Sequence, residues 1–242
     1  MTEKPLLTIG LLGGMSSAAT GEYYKLINEK VRAIRGGHHI AEMLIYSVDF
    51  AIIERCVRTQ NWEEASQYLV EKAICIEKAG ADCLFLGTNT MHKLREQIKA
   101  AISIPFIDIF ETVSKQIRKK GKSRVGMLGT YPVMTDAFYH DAYKQCGVEL
   151  ITPDEDEMRE IDRILFDELT HHVFLDSSKA YFLNVMKGLQ DKGAEGIVLG
   201  CTEIKLLIRQ EDIMEVELFD TTELHCDLAA RICLQEVNLD DV

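Results

Sequence analysis

The sequence predicts an α/β protein of two pseudo-symmetric domains, each a parallel sheet flanked by helices, with a site in the cleft between them. Three observations predict it: short apolar runs closed by Gly, Ser or Thr, helical periods between those runs, and a set of motifs written twice in the same order. Runs that are apolar on both faces suit parallel strands covered on both sides. Strand alternating with helix then builds βαβ units.

The elements follow in chain order. "LLTIGLLGG" (6–14) reads as the first strand, and Ser16 is placed to N-cap a helix over 17–35. "EMLIYSVDF" (42–50) is the second strand, followed by a helix over 62–80. "DCLFLGT" (82–88) is the third, with a helix over 91–101. "IPFIDIFETV" (104–113) runs from strand into a helix over 110–120. Gly121-Lys122 is a plausible crossover into "RVGMLGT" (124–130). Helices over 135–146, 156–170 and 177–193 lead to "EGIVLGC" (195–201), and "VELFDTTEL" (216–224) enters a last helix over 223–235.

The second half rewrites the first. "TIGLLGGMS" (8–16) returns as "RVGMLGTYPVM" (124–134), "KAGADCLFLGTNTMHKL" (78–94) as "DKGAEGIVLGCTEIKLL" (191–207), and "IPFIDIFETV" as "VELFDTTEL". The offsets are 116 residues for Ile9 and Val125, 113 for the Gly-Ala pairs and 112 for Asp108 and Asp220. Three blocks in one order at nearly constant offset indicate an internal duplication. The expected division is a first domain over 1–108, with 221–242 packing back on it, and a second over 109–220.

Composition narrows the function. The 242 residues are 47% hydrophobic and 27% charged, ordinary for a globular chain. A net charge of −12 disfavours nucleic acid and anionic membrane surfaces. The start "MTEKPLLTIG" lacks a signal-peptide pattern, and no run approaches the roughly 18 apolar residues of a spanning helix. Seven cysteines, odd in number and without CxxC spacing, read as free thiols in a cytoplasmic protein.

In open parallel sheets, functional groups gather beyond the carboxyl ends of the strands. That rule selects four turns, Gly13–Ser16, Gly87–Thr90, Gly129–Pro132 and Gly200–Glu203, and places Met15, Ser16 and Thr130 beside Thr88 and Cys201. Two related domains facing each other would bring Thr88 and Cys201 to opposite sides of one cleft. Mirrored groups suit stereoinversion, in which one face of a carbon loses a proton and the other gains one. A thiolate can serve as the base, its reference pKa of about 8.5 being within reach of neutrality. Helix N-termini after the strands would hold a substrate carboxylate. Blander readings stand beside these: Cys201 as core packing, Thr88 as a helix N-cap. "GLLGGMS" lacks both GxGxxG spacing and a Walker Lys-Ser/Thr, which argues against a nucleotide. The pairs His38-His39 and His171-His172 are adjacent rather than a helical turn apart, so no metal site is expected.

"GLLGGMS", "TNTMHKL" and "LGCTE" together resemble the aspartate/glutamate racemase family of cofactor-independent amino-acid racemases, over essentially the whole chain. The resemblance implies an active site between two α/β domains, no pyridoxal phosphate or other cofactor, no metal, a small amino-acid substrate and a homodimer. It implies that Cys201, in the Gly-Cys-Thr-Glu position, is one acid/base residue. The other falls on Thr88, where the family usually has cysteine, which is the pattern of a Thr/Cys subgroup. By the same resemblance Asn89 and Thr90 bind the α-carboxylate, Thr202, Glu203 and Met15 line the site, and Arg55 grips a side-chain carboxylate. A lysine that shares that task is replaced by Thr170. His225 follows the second "FDTT" block and is expected near the cleft or as a satisfied loop histidine. The expected substrate is L-aspartate or L-glutamate, turned over by proton transfer at the α-carbon. A broad-specificity racemase, a single-cysteine decarboxylase and a non-catalytic amino-acid sensor are the alternatives.

Overall fold

The computed structural model describes residues 4–241. The chain divides into two compact units, one running up to Ile109 and resuming at His225, the other Phe110–Leu224. Among the described residues no helix is long and apolar enough to cross a membrane.

The first unit holds β1 (Ile9–Gly13), α1 (Ser17–Arg35), β2 (Met43–Ser47), α2 (Phe50–Arg58), α3 (Trp62–Lys78), β3 (Cys83–Leu86), α4 (Arg95–Ala101) and β4 (Phe106–Ile107). The second holds α5 (Ile109–Lys119, whose first residue still belongs to the first unit), β5 (Arg124–Leu128), α6 (Tyr131–Thr135), α7 (Ala137–Gln145), β6 (Glu149–Ile151), α8 (Glu155–Asp167), α9 (Asp176–Asp191), β7 (Gly196–Leu199), α10 (Ile204–Leu207) and β8 (Glu217–Asp220). The last helix, α11 (Thr221–Cys233), starts in the second unit and continues into the first.

Both sheets are wholly parallel, with orders β2-β1-β3-β4 and β6-β5-β7-β8. The identical order is the duplication expressed as topology. In each sheet the chain leaves its first strand to one side and returns on the other, so a switch point lies between β1 and β3, and again between β5 and β7. At such a point the connections depart to opposite faces and leave an open crevice at the strand ends. The four glycine-bearing turns follow β1, β3, β5 and β7, so all four lie at a switch point.

Period-two alternation distributes the first sheet's side chains between two cores. Ile9, Leu11, Cys83 and Phe85 pack with Tyr23, Ile27 and Val31 of α1 and Cys226, Ala229 and Ala230 of α11. Leu12, Leu84 and Leu86 pack with Ile53 of α2, Leu69 and Ala73 of α3 and Ile98 of α4. The last helix therefore completes one face of the first sheet.

The local elements depart from the sequence reading in several places. Helix α2 occupies a stretch that, beyond Phe50, the sequence reading gives no element; Asp49, whose Oδ1 accepts the Ala51 N–H at 3.1 Å, starts it. Strand β6 has only three residues, too short for a periodic signal. The helix expected over 91–101 opens as a 3-10 turn, Thr90–Leu94, before α4. The helix expected over 135–146 breaks at Asp136, whose carboxylate caps α7 by accepting the Phe138 N–H at 2.9 Å.

Candidate active site

The glycine turn after β1 is shaped by packing. Gly14 has φ +91°, and a Cβ there would lie 2.3 Å from the Val48 backbone nitrogen, so only glycine fits. Thr20 Oγ1 accepts the Gly14 N–H at 2.8 Å and donates to the Ser16 carbonyl at 2.8 Å. Ser16 caps α1 through its Oγ, which accepts the Ala19 N–H at 3.3 Å. Met15 is buried in the core that contains Leu12 and Val48. The double glycine thus needs no phosphate to explain it.

The turn after β3 carries Thr88, Asn89 and Thr90, all half-buried. The Thr88 N–H donates to the Leu86 carbonyl at 2.9 Å, and the Thr88 carbonyl accepts from His92 Nδ1 at 2.7 Å. His92 is fully buried, and its Nε2 accepts the Ile109 N–H at 3.2 Å. These partners fix the neutral tautomer with the proton on Nδ1. Burial is the main cause that pushes the His92 pKa down to about 4, against the raising influence of Asp108.

In the second unit, the turn after β5 places Thr130 at the start of α6, where its carbonyl accepts the Met134 N–H at 3.1 Å. The next N–H, of Tyr131, donates to Asp162 Oδ1 of α8 at 2.7 Å. The turn after β7 holds Cys201, Thr202 and Glu203, all half-buried. Cys201 Sγ donates to Glu203 Oε2 at 3.0 Å, and Thr202 Oγ1 donates to the same oxygen at 2.7 Å. Burial first, then the Glu203 charge and hydrogen bond, raise the Cys201 pKa well above that of an ordinary thiol, and Asp162 adds to the rise. The resting sulfur is therefore a thiol whose proton points at a carboxylate.

Two expected site residues have other occupations. Arg55 lies on α2 with its side chain more than half exposed and ion-paired with Glu64. His225 is a satisfied histidine, on a helix rather than in a loop: it lies fully buried within α11. Its Nδ1 accepts from Tyr23 Oη at 2.8 Å, and its Nε2–H donates to the Ile107 carbonyl at 3.0 Å. Its ring packs on Phe85, centroids 4.7 Å apart, and burial pushes its pKa down to about 3. Thr170 spends its hydroxyl on the Phe166 carbonyl at 2.6 Å.

Sequence reasoning missed His92 and Asp162. The signal for His92 was present, an imidazole four residues after Thr88 where the second copy has Lys205. Nothing in the sequence marks Asp162, which reaches the β5 turn from a separate helix.

The family described as Asp/Glu/Hydantoin racemase matches residues 12–229. A broad-specificity amino-acid racemase, RacX, of Bacillus subtilis is 30% identical over 149 residues, 60% of this chain. A glutamate racemase of Geobacter metallireducens is 28% identical over 183 residues, 72% of this chain. The matches span 64% and 65% of the length of those two relatives. Among solved structures, a Yersinia pestis protein provisionally described as an Asp/Glu racemase is 38% identical with TM-score 0.91, covering 95% of this chain and 100% of that one. An aspartate racemase homologue from Pyrococcus horikoshii OT3 is 31% identical with TM-score 0.85, covering 95% and 97%. Arylmalonate decarboxylase shares the fold, with TM-score 0.54 at 13% identity over 93% of this chain and 92% of that one. With the duplicated sheets, the paired strand-end turns and a family match over most of its length, the chain belongs to the Asp/Glu/Hydantoin racemase family.

Proposed function

We propose that this protein is a cofactor-independent amino-acid racemase that takes L-aspartate or L-glutamate and inverts the α-carbon with Cys201 and Thr88. The observation that carries the reading is the Cys201–Glu203 hydrogen bond at the end of β7, in the second copy of the line whose first copy presents Thr88. Glu203 is the seat for the substrate's α-ammonium. With the site empty, its charge keeps the thiol protonated; an ammonium on that carboxylate cancels the charge and lowers the thiol's pKa.

The proton balance is then simple. The thiol proton leaves through Glu203 to solvent, and the thiolate forms an S–H bond as the α-C–H bond breaks. The electron pair left on carbon is spread into the substrate carboxylate, which Asn89 and Thr90 hold. Thr88 Oγ delivers a proton to the opposite face, directly or through a water, and recovers one from solvent. A threonine alkoxide is far more basic than a thiolate, so Thr88 donates well and abstracts poorly. Because the two enantiomers have equal free energies, kcat/KM is the same in both directions, and the asymmetry appears as α-proton exchange from L-substrate outpacing inversion. Arg55 can exchange Glu64 for a substrate side-chain carboxylate at little cost, since an exposed ion pair contributes only ~0–1 kcal/mol.

Met15, Ser16, Thr130 and Thr202 act by shaping and anchoring the turns around these groups. A decarboxylase has the same fold, so the fold alone does not choose the reaction; the second half-site at Thr88, in a Thr-Asn-Thr turn, supports two-sided proton transfer. The test is incubation with a panel of L- and D-amino acids in heavy water, with α-proton loss followed by NMR and D-product by chiral chromatography. Exchange with inversion for acidic substrates is the expected result. Exchange with no D-product from any of them contradicts the racemase reading.

A further inference from the structure

Both copies of the duplicated line end in a strand-end turn, but the two turns are held differently. After β7, the Cys201 carbonyl accepts a backbone N–H, that of Ile204, at 3.3 Å. After β3, the Thr88 carbonyl accepts from a side chain, His92 Nδ1, at 2.7 Å. That imidazole is fully buried and braced behind by the Ile109 N–H on Nε2 at 3.2 Å. Its ring also meets Phe106 and His225, at centroid distances of 5.6 and 6.0 Å. On the other flank, the Thr88 N–H is tied to Leu86 at 2.9 Å, and the Gly87 N–H to Leu12 at 2.9 Å. Thr88 therefore has both of its backbone polar groups pinned, one of them by the only imidazole in either copy of the line.

We infer that His92 is a positioning residue for the Thr88 half-reaction: as a neutral Nδ1–H donor braced by Ile109, it fixes the carbonyl of Thr88 and so aims that residue's hydroxyl at the α-carbon. The inference rests on the role proposed for Thr88. A hydroxyl is a poor substitute for a thiol in this position, and a weak proton donor tolerates little misplacement. An error of about 1 Å costs up to about 100-fold in such a transfer. Cys201, with its own carboxylate partner, is served by a different turn and does not depend on His92. A backbone N–H at the position of His92 Nδ1 would serve equally as a clamp, but the 3-10 geometry of Thr90–Leu94 supplies none there: the His92 N–H is used by the Asn89 carbonyl at 3.1 Å.

The readout is the amount of D-product formed per α-proton exchanged from L-substrate in heavy water. This ratio is insensitive to the fraction of protein folded, because Cys201 exchange is its denominator. His92→Leu removes the donor and should lower the ratio at least about 10-fold, with exchange itself within about threefold of wild type. His92→Asn keeps a donor near Nδ1 and should return the ratio to within about threefold of wild type. An unchanged ratio in His92→Leu, with a ratio that collapses in Thr88→Ala, overturns the inference and leaves the role of Thr88 standing. An unchanged ratio in Thr88→Ala overturns both. Should His92→Leu fail to fold, the ¹⁵N spectrum of histidine-labelled wild type decides: a neutral Nδ1–H signature for His92 is expected, and an Nε2–H tautomer or an imidazolium at pH 7 refutes the clamp.

Discussion

Replacing Glu203 by glutamine removes a negative charge from beside Cys201 while leaving size and burial nearly unchanged. With the thiol sulfur 3.0 Å from the carboxylate, a thiolate there is disfavoured by ~1.4 kcal/mol in a water-like medium and by ~5.5 kcal/mol at an effective dielectric of about 20. The Cys201 ionisation should therefore move down when that charge is removed. The assay is the pH dependence of iodoacetamide alkylation, read by mass spectrometry on the Cys201 peptide, with exposed Cys75 as an internal reference in the same sample. Substrate binding should suffer in the same variant, because the ammonium loses its partner. A charged hydrogen bond contributes ~1.5–3 kcal/mol, so KM should rise about 10-fold or more. A midpoint that stays put or moves up refutes the electrostatic account, and an unchanged KM refutes the ammonium seat.

Other outcomes follow from the same structure. The buried histidines make the fold acid-sensitive. His92 and His225 have folded pKa values of about 4 and about 3, below the 6.5 of the unfolded chain, so the unfolded state takes up protons first. The stability they contribute is intact above about pH 6.5 and is lost as pH falls to about 4 and about 3. Each should remove about 2 kcal/mol between pH 7 and pH 5, read as a falling urea midpoint, while both imidazoles stay neutral by NMR; an imidazolium at pH 6 contradicts this. Gly14→Ala, with φ +91° and Val48 N 2.3 Å from the new Cβ, should destabilise by about 2 kcal/mol or more. Gly21→Ala, in α1 with open space around it, should stabilise by about 0.5–1 kcal/mol; equal melting shifts for the two would contradict the packing of the β1 turn. Arg55→Ala should raise KM for L-aspartate and leave KM for L-alanine unchanged, and parallel changes for both would remove Arg55 from substrate selection.

The repeat made much of this architecture legible. Because the central strands β1, β3, β5 and β7 are buried on both faces, "IGLLG", "CLFL", "RVGML" and "GIVL" stand out as apolar runs, and their order in two copies foretells two sheets of one topology. The turn residues were legible for the same reason, since carboxyl ends of parallel strands are marked by the Gly that closes each run. What stayed hidden depends on partners distant in sequence. Asp162 reaches the Tyr131 N–H across 31 residues, and His225 reaches the Ile107 carbonyl across 118. No local pattern encodes such pairs. His225 falls in the helix expected over 223–235, which begins slightly earlier at Thr221, but only the fold shows that residue 225 is buried and hydrogen-bonded through both ring nitrogens. Glu203 was legible as a residue of the turn after β7, but its bond to the thiol is visible only in three dimensions.

The central claim is that Cys201 removes the α-proton of the L-enantiomer. The most direct measurement is the rate of α-proton exchange from L-aspartate and L-glutamate in heavy water, for wild type and for Cys201→Ser, with folding of the variant checked by circular dichroism. Serine retains the hydrogen-bonding shape but not a group that ionises near neutral pH. The account predicts ready exchange in wild type and a loss of at least about 100-fold in the folded variant. Exchange at the wild-type rate in Cys201→Ser would contradict it.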